Sequence, residues 1–154
     1  MIGGLIALVV VLAAASAAGL ALRARQGRFR PDSSRATGPE RPEASGAVLT
    51  AADLGAPLGD RVTLVQFSTK VCAYCGPTRK LLSELARERD GVAFIEVDAA
   101  ERMDLSRRLH VLSTPTVLVL DAAGGISSRA SGPPRQAELL IAVGRAVGPG
   151  GETS

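Results

Sequence analysis

The sequence predicts an α/β domain, a sheet with helices on both faces, carried behind one N-terminal transmembrane helix. Three observations predict it. Residues 2–22 (IGGLIALVVVLAAASAAGLAL) contain no charge. Between residues 47 and 147, short apolar runs bounded by turn signals alternate with segments whose apolar residues recur three and four apart. The first pattern is that of buried strands and the second that of amphipathic helices. Alternating strands and helices bury their apolar surfaces by packing helices against a sheet.

The apolar run comes first. Its 21 residues, at about 1.5 Å each, span roughly 30 Å as a helix, the thickness of a hydrocarbon core. Ala15-Ser16-Ala17 resembles a signal-peptide cleavage site. A signal peptide, however, carries positive charge before its apolar run. Here Arg23, Arg25, Arg28 and Arg30 come after it. The run therefore reads as an uncleaved anchor in contact with lipid through residues 2–22. Positive flanks stay in the cytoplasm, so the chain beyond Leu22 is expected on that side.

Residues 23–46 (RARQGRFRPDSSRATGPERPEASG) are expected to be a disordered tether, since so few apolar residues cannot offset the entropy of ordering. Its arginines suit anionic headgroups. The tail, 148–154, reads the same way.

Residues 47–147 have the length of one domain. Leu49 to Leu58 suggests a short opening helix. Thr63 to Phe67 reads as a buried strand, and Gly76 to Arg89 as a helix with Leu81, Leu82, Leu85 and Ala86 on one side. Val92 to Val97 is a second strand and Met103 to Leu109 a short helix. Thr116 to Leu120 is a third strand. A turn at Asp121 to Gly125 leads to a weaker fourth strand, Ile126 to Ala130. Gln136 to Val147 closes the domain as a helix with Leu139, Leu140 and Val143 inward.

Composition excludes several functions. The formal charge is +3, and six of the sixteen arginines lie between Arg23 and Arg41. The domain itself is therefore no basic nucleic-acid binder, and no aromatic residues interleave with basic ones as single-strand binding needs. Two cysteines are too few for a disulfide-stapled scaffold. One histidine, His110, added to them makes no four-ligand zinc site. No metal and no cofactor is expected.

What remains is Cys72-Ala-Tyr-Cys75, a Cys-x-x-Cys pair between a strand and a helix. Unpaired N–H groups and the positive end of a helix dipole favour thiolate over thiol. A second cysteine one turn on can close a disulfide with the first. Cys72 then reads as the nucleophile and Cys75 as the resolving thiol.

Phe67-Ser-Thr-Lys-Val-Cys72-Ala-Tyr-Cys75 resembles the strand, loop and helix signature of the thioredoxin family. Pro115 stands forty residues after Cys75, in Ser113-Thr-Pro-Thr-Val-Leu-Val-Leu120, which resembles that family's cis-proline loop and following strand. The resemblance spans Ala47 to Val147. It implies a thioredoxin-like fold with a central mixed sheet, in a form similar to membrane-anchored actinobacterial members. It implies that Pro115 is cis and lies against the dithiol, and that Thr114 offers its backbone to an extended substrate peptide, with Tyr74 on the same contact surface. It implies a thiol–disulfide oxidoreductase of the protein-disulfide reductase type. Its partners would be a protein disulfide substrate or a peroxidase, and a separate electron donor. A non-catalytic adaptor and an extracytoplasmic exchange protein are the alternatives.

The chain departs from the family pattern at three places. Val71 stands where thioredoxins carry Trp. Ala73-Tyr74 replaces Gly-Pro, which leaves the reduction potential open. Gln66 stands at the position of the buried carboxylate and cannot serve as a base, so resolution by Cys75 is expected to be slow. A second frame, Tyr74-Cys75-Gly76-Pro77-Thr78-Arg79, would make Cys75 a lone nucleophile with Thr78 at the place of the resolving cysteine. His110 could transfer protons by its reach alone, and Arg79 and Lys80 could support the thiolate; solvent-facing roles suit all three better.

Overall fold

A computed structural model describes residues 10–20, 29–31 and 47–147. Residues 10–20 form helix α1, exposed along its length. Among the described residues no helix is long and apolar enough to cross a membrane. Residues 1–9, 21 and 22 of the expected anchor lie outside the described residues, as do most of the expected tether and the tail.

The remaining elements follow in chain order: β1 (Arg30–Pro31), α2 (Ala51–Leu54), β2 (Val62–Ser68), α3 (Cys75–Glu88), β3 (Val92–Asp98), α4 (Met103–Arg108), β4 (Thr116–Asp121), β5 (Ile126–Ser131) and α5 (Gln136–Val147). Strands lie in the order β1-β5-β4-β2-β3. β2 and β3 run parallel, and β2–β4, β4–β5 and β1–β5 run antiparallel. The sheet is mixed, with four strands of six or seven residues and a two-residue edge.

All seven residues of β2 are buried, as expected for a central strand covered on both faces. Alternation along the strands sorts the core into two clusters. Val65 and Phe67 of β2 join Ile95, Val97, Leu118 and Leu120 beneath Leu54 of α2 and Leu105 of α4. Val62 and Leu64 join Val117 and Val119 beneath Leu82 and Leu85 of α3 and Leu139, Ala142 and Val143 of α5.

Two elements differ from the sequence reading. The opening helix is four residues, not ten. Thr50 closes a capping box with Asp53, and Gly55, at φ 71°, ends the helix one turn later. Within the expected tether, residues 29–31 belong to the fold. Arg30 pairs with Arg129 and Pro31 with Ser128. The Phe29 amide donates to Glu138 Oε2 at 3.2 Å, and Phe29 packs against the α3/α5 cluster.

Candidate active site

The site lies at one end of the sheet, where β2 finishes and β4 starts. Phe67 pairs with Thr116 across these neighbouring strands, so the loop after β2 and the loop before β4 meet. The first loop carries Cys72 and Cys75, joined as a disulfide with Cα atoms 5.5 Å apart. The second carries Thr114 and Pro115, linked by a cis peptide bond as the resemblance implied. A hydrogen bond of 3.2 Å between the hydroxyls of Thr69 and Thr114 ties the two loops together.

The cysteines differ in exposure. Cys72 is half-buried and Cys75 is 3% exposed. Helix α3 begins at Cys75, with Tyr74 as its N-cap. Cys72 thus stands just before the helix rather than in its first turn. Its amide donates to Thr69 O at 3.2 Å, and the Cys75 amide donates to Cys72 O at 3.3 Å. Pro77 falls in the first helical turn, where a missing N–H has no intrahelical partner to lose. Thr78 is buried, with its hydroxyl donating to Tyr74 O at 2.8 Å. Cys75 is buried and bonded to Cys72, and Thr78, the second position of the alternative frame, is buried one turn further on.

Gln66 is fully buried directly beneath the dithiol. Its Nε2 donates to Cys75 O at 2.9 Å, while Oε1 is buried with no hydrogen-bond partner. The amide therefore grips the backbone of Cys75 at the position where the family pattern has a carboxylate.

The two loops expose large apolar side chains beside Lys70 and Ser113. Val71 is 94% exposed and Leu112, three residues before Pro115, is 90% exposed; Tyr74 is exposed beside Cys75. Tyr74 and Val71 come from one loop and Leu112 from the other. Arg79 is not aimed at the thiols. Its guanidinium bonds Glu96 Oε1 at 2.7 Å, and Ser68 Oγ donates to the same oxygen at 2.7 Å. Burial pushes the Glu96 carboxyl up, but the hydrogen bonds from Arg79 and Ser68 outweigh it and hold it below its ordinary value. Lys80 lies 3.9 Å from Glu84, one turn away on the helix surface.

The sequence reading missed Arg129. From β5 it reaches across to donate to Leu109 O and His110 O, each at 2.6 Å, pinning the start of the loop that ends in Pro115. His110 is exposed, with φ 48°, and closes α4 in the left-handed region. An arginine in a weak, alternating strand carries no motif; only its place two residues from the strand end hinted that it could reach a loop. Among the described residues no three His, Cys, Asp or Glu side chains stand close enough to hold a metal ion.

The family model for thioredoxin matches residues 48–144. No curated protein matches the chain. Among solved structures it is similar to chloroplastic thioredoxin z, at 27% identity over 56% of this chain and 79% of that one, with a TM-score of 0.50. It is similar to thioredoxin f from spinach chloroplast, at 25% identity over 57% of this chain and 78% of that one, with a TM-score of 0.51. Thioredoxin-2 of the malaria parasite, described as a component of its protein secretion machinery, shares the fold at 20% identity, over 59% of this chain and 88% of that one, with a TM-score of 0.52.

Proposed function

Because the chain belongs to the thioredoxin family and holds its Cys-x-x-Cys pair at disulfide distance, we propose that it is a membrane-tethered thiol–disulfide oxidoreductase that reduces protein disulfides. The observation that carries this is the asymmetry of the pair. A half-exposed Cys72 can reach a substrate sulfur, and a buried Cys75 can reach only Cys72.

The steps follow from that asymmetry. In the reduced chain the Cys72 thiolate attacks one sulfur of a substrate disulfide, and the other substrate sulfur leaves as a thiolate. Thr114 and Pro115 form the wall against which the substrate backbone lies, with Tyr74 beside it. Cys75 gives up its proton and attacks Cys72 Sγ, and the second substrate sulfur leaves. The substrate has gained two electrons, and the Cys72–Cys75 disulfide must then be reduced by a separate donor. Gln66 Oε1 can accept a hydrogen bond but cannot take the Cys75 proton, so water takes it and the second step is slow.

Turbidimetric reduction of insulin tests the role of the pair: the wild-type chain reduces insulin and the Cys72→Ser chain does not. Zero rates in both would favour a non-catalytic adaptor. Cys75→Ser accumulates a mixed disulfide, which the opposite order of attack would not give.

The tether rests on the uncharged run of residues 2–22 and on helix 10–20 within it. Val10, Val11, Leu12 and Leu20 are each 58–68% exposed, an apolar surface suited to lipid. The arginines after Leu22 support a cytoplasmic domain. Alkaline phosphatase fused after Ser154 stays inactive on that reading, and active phosphatase would reverse it.

A further inference from the structure

The direction of β1 sets the end of the sheet at which the anchor enters. β1 runs antiparallel to β5, with Arg30 opposite Arg129 and Pro31 opposite Ser128. Its start therefore points toward Ser131, and Ser131 pairs with Thr116, the residue after Pro115. Val117, one step inward, pairs with Ala130 on one side and Gln66 on the other, and Gln66 bonds the Cys75 carbonyl. The chain thus comes into the fold at the dithiol end and runs away from it. In strand order β1 is three strands from β2, about 14 Å at ordinary spacing.

The connection to the anchor is short. Seven steps of chain separate Leu22 from Phe29, which reach at most about 25 Å when fully extended. Three of the six intervening residues are Arg23, Arg25 and Arg28, which anionic headgroups attract. Phe29 is fastened at its amide to Glu138 and at its ring to the α3/α5 cluster. The opposite end of the sheet, with its turns at Asp60, Asp90 and Asp121, lies a further sheet length away, about 20 Å. The near end exposes apolar side chains beside a cation, Lys70, a mixture that suits the headgroup boundary. Val71 and Leu112, the two most exposed large apolar side chains among the described residues, flank Cys72 and Pro115 there.

We propose that the dithiol end of the domain faces the lipid headgroups, and that the disulfide it reduces belongs to an integral membrane protein with its cysteine pair at that level. This rests on the reading of residues 2–22 as an anchor. The exchange balances as before: the partner's disulfide becomes two thiols, and the Cys72–Cys75 dithiol becomes a disulfide, with two electrons and two protons passing between them. A short tether attached at this end keeps the dithiol concentrated against such a partner and away from disulfides in bulk solvent.

The chain has no tryptophan, so single substitutions report position. Full-length Leu112→Trp and Ala123→Trp chains are reconstituted into vesicles of phosphatidylcholine and phosphatidylglycerol doped with a dansyl-headgroup lipid. Flotation reads the anchor, and energy transfer to dansyl reads the orientation. Transfer is expected to be more than about twofold greater from Leu112→Trp than from Ala123→Trp, given a sheet length between them. Chains that float with equal transfer, or with more from Ala123→Trp, overturn the orientation and leave the anchor standing. Chains that do not float overturn both. A palmitoylated peptide with an internal disulfide in the same vesicles tests the partner. Inserting about twenty Gly/Ser residues after Gly27 should slow its reduction roughly fivefold to tenfold, while the unacylated peptide in solution is reduced at least as fast as before. An unchanged rate on the acylated peptide overturns the partner assignment.

Discussion

The two loops that meet at the site are held in place by different means. The dithiol loop, between β2 and α3, is organised by near neighbours. Cys72 bonds Thr69, Cys75 bonds Cys72 both through backbone and through sulfur, and Thr78 bonds Tyr74. The loop between α4 and β4 is organised from a distance. Arg129 holds its first carbonyls from 19 and 20 positions away, and Thr69 holds Thr114 from 45. The Gly132 amide donates to Pro115 O at 2.7 Å. The two sulfurs are thus placed by local sequence, and the Thr114-Pro115 loop, the proposed substrate wall, is placed by tertiary contacts.

The largest effect comes from breaking the local loop. Cys72→Ser is expected to lower insulin reduction by more than about a hundredfold, because a serine hydroxyl supplies no anion at neutral pH. Its folded stability under reducing conditions should match the wild type, since only a thiol is exchanged. A residual rate within tenfold of wild type would mean that Cys75 attacks by itself.

Breaking the distant loop should look different. Arg129→Ala removes two charge-assisted hydrogen bonds and leaves the Leu109 and His110 carbonyls without that donor. The expected cost is about 1–3 kcal/mol in urea unfolding. The KM for a protein disulfide should rise, because the wall loses its support, while the rate at which a small disulfide such as that of glutathione oxidises the dithiol stays close to wild type. Equal losses on both substrates would show that the two loops are not independently held.

This contrast also explains what was legible in the sequence. Strand β2 was placed to within one residue at each end because a run of Val, Leu and Phe between Arg61 and Thr69 leaves little choice of burial. The Cys-x-x-Cys spacing and Thr114-Pro115 are local patterns, so they could be read without the fold. Arg129 could not, because its partners are known only once β5 lies beside β4. β1 was missed for a related reason. Two residues in an arginine- and proline-rich stretch have no strand pattern of their own, and the one signal was Phe29, the single large apolar residue between Arg23 and Gly46. The opening helix is shorter than the sequence suggests because Gly55, in the left-handed region, ends it, and Pro57 follows.

Gln66 is the point where the buried core meets the local loop. Gln66→Glu puts one carboxylate oxygen where Oε1 now lies unpartnered and another in place of Nε2, the donor to Cys75 O. If loss of a base limits the second step, the mixed disulfide between Cys72 and substrate should resolve about tenfold faster at neutral pH. The rate should also acquire a pH dependence set by the new carboxyl. Gln66→Asp, with a shorter side chain, gives a smaller gain. Unchanged resolution in both, measured by quench-flow, would show that Gln66 does not limit the step. Some folding stability is expected to be lost, since a buried carboxyl is costly.

The smallest effect concerns the base of the distant loop. Asp53 Oδ1 accepts from Arg108 at 2.6 Å, and Asp53 O accepts from Arg102 at 2.7 Å, so α2 is fastened to α4 just before the chain turns toward Pro115. The Thr50 amide and hydroxyl, and then Arg108, hold the Asp53 carboxyl at about 2. A carboxyl lowered by folding stabilises the folded chain above its unfolded value, near 3.9. That contribution is lost as pH falls from about 4 to about 2. Asp53→Asn should therefore cost about 0.5–1 kcal/mol at pH 7, and the gap from wild type should narrow steadily below pH 4. Urea melts at pH 7 and pH 2.5 measure the narrowing. A gap that stays constant across that range would mean that the charge of Asp53, through Thr50 and Arg108 alike, contributes nothing, and that α4 and the loop after it are held by Arg102, Arg129 and the core alone.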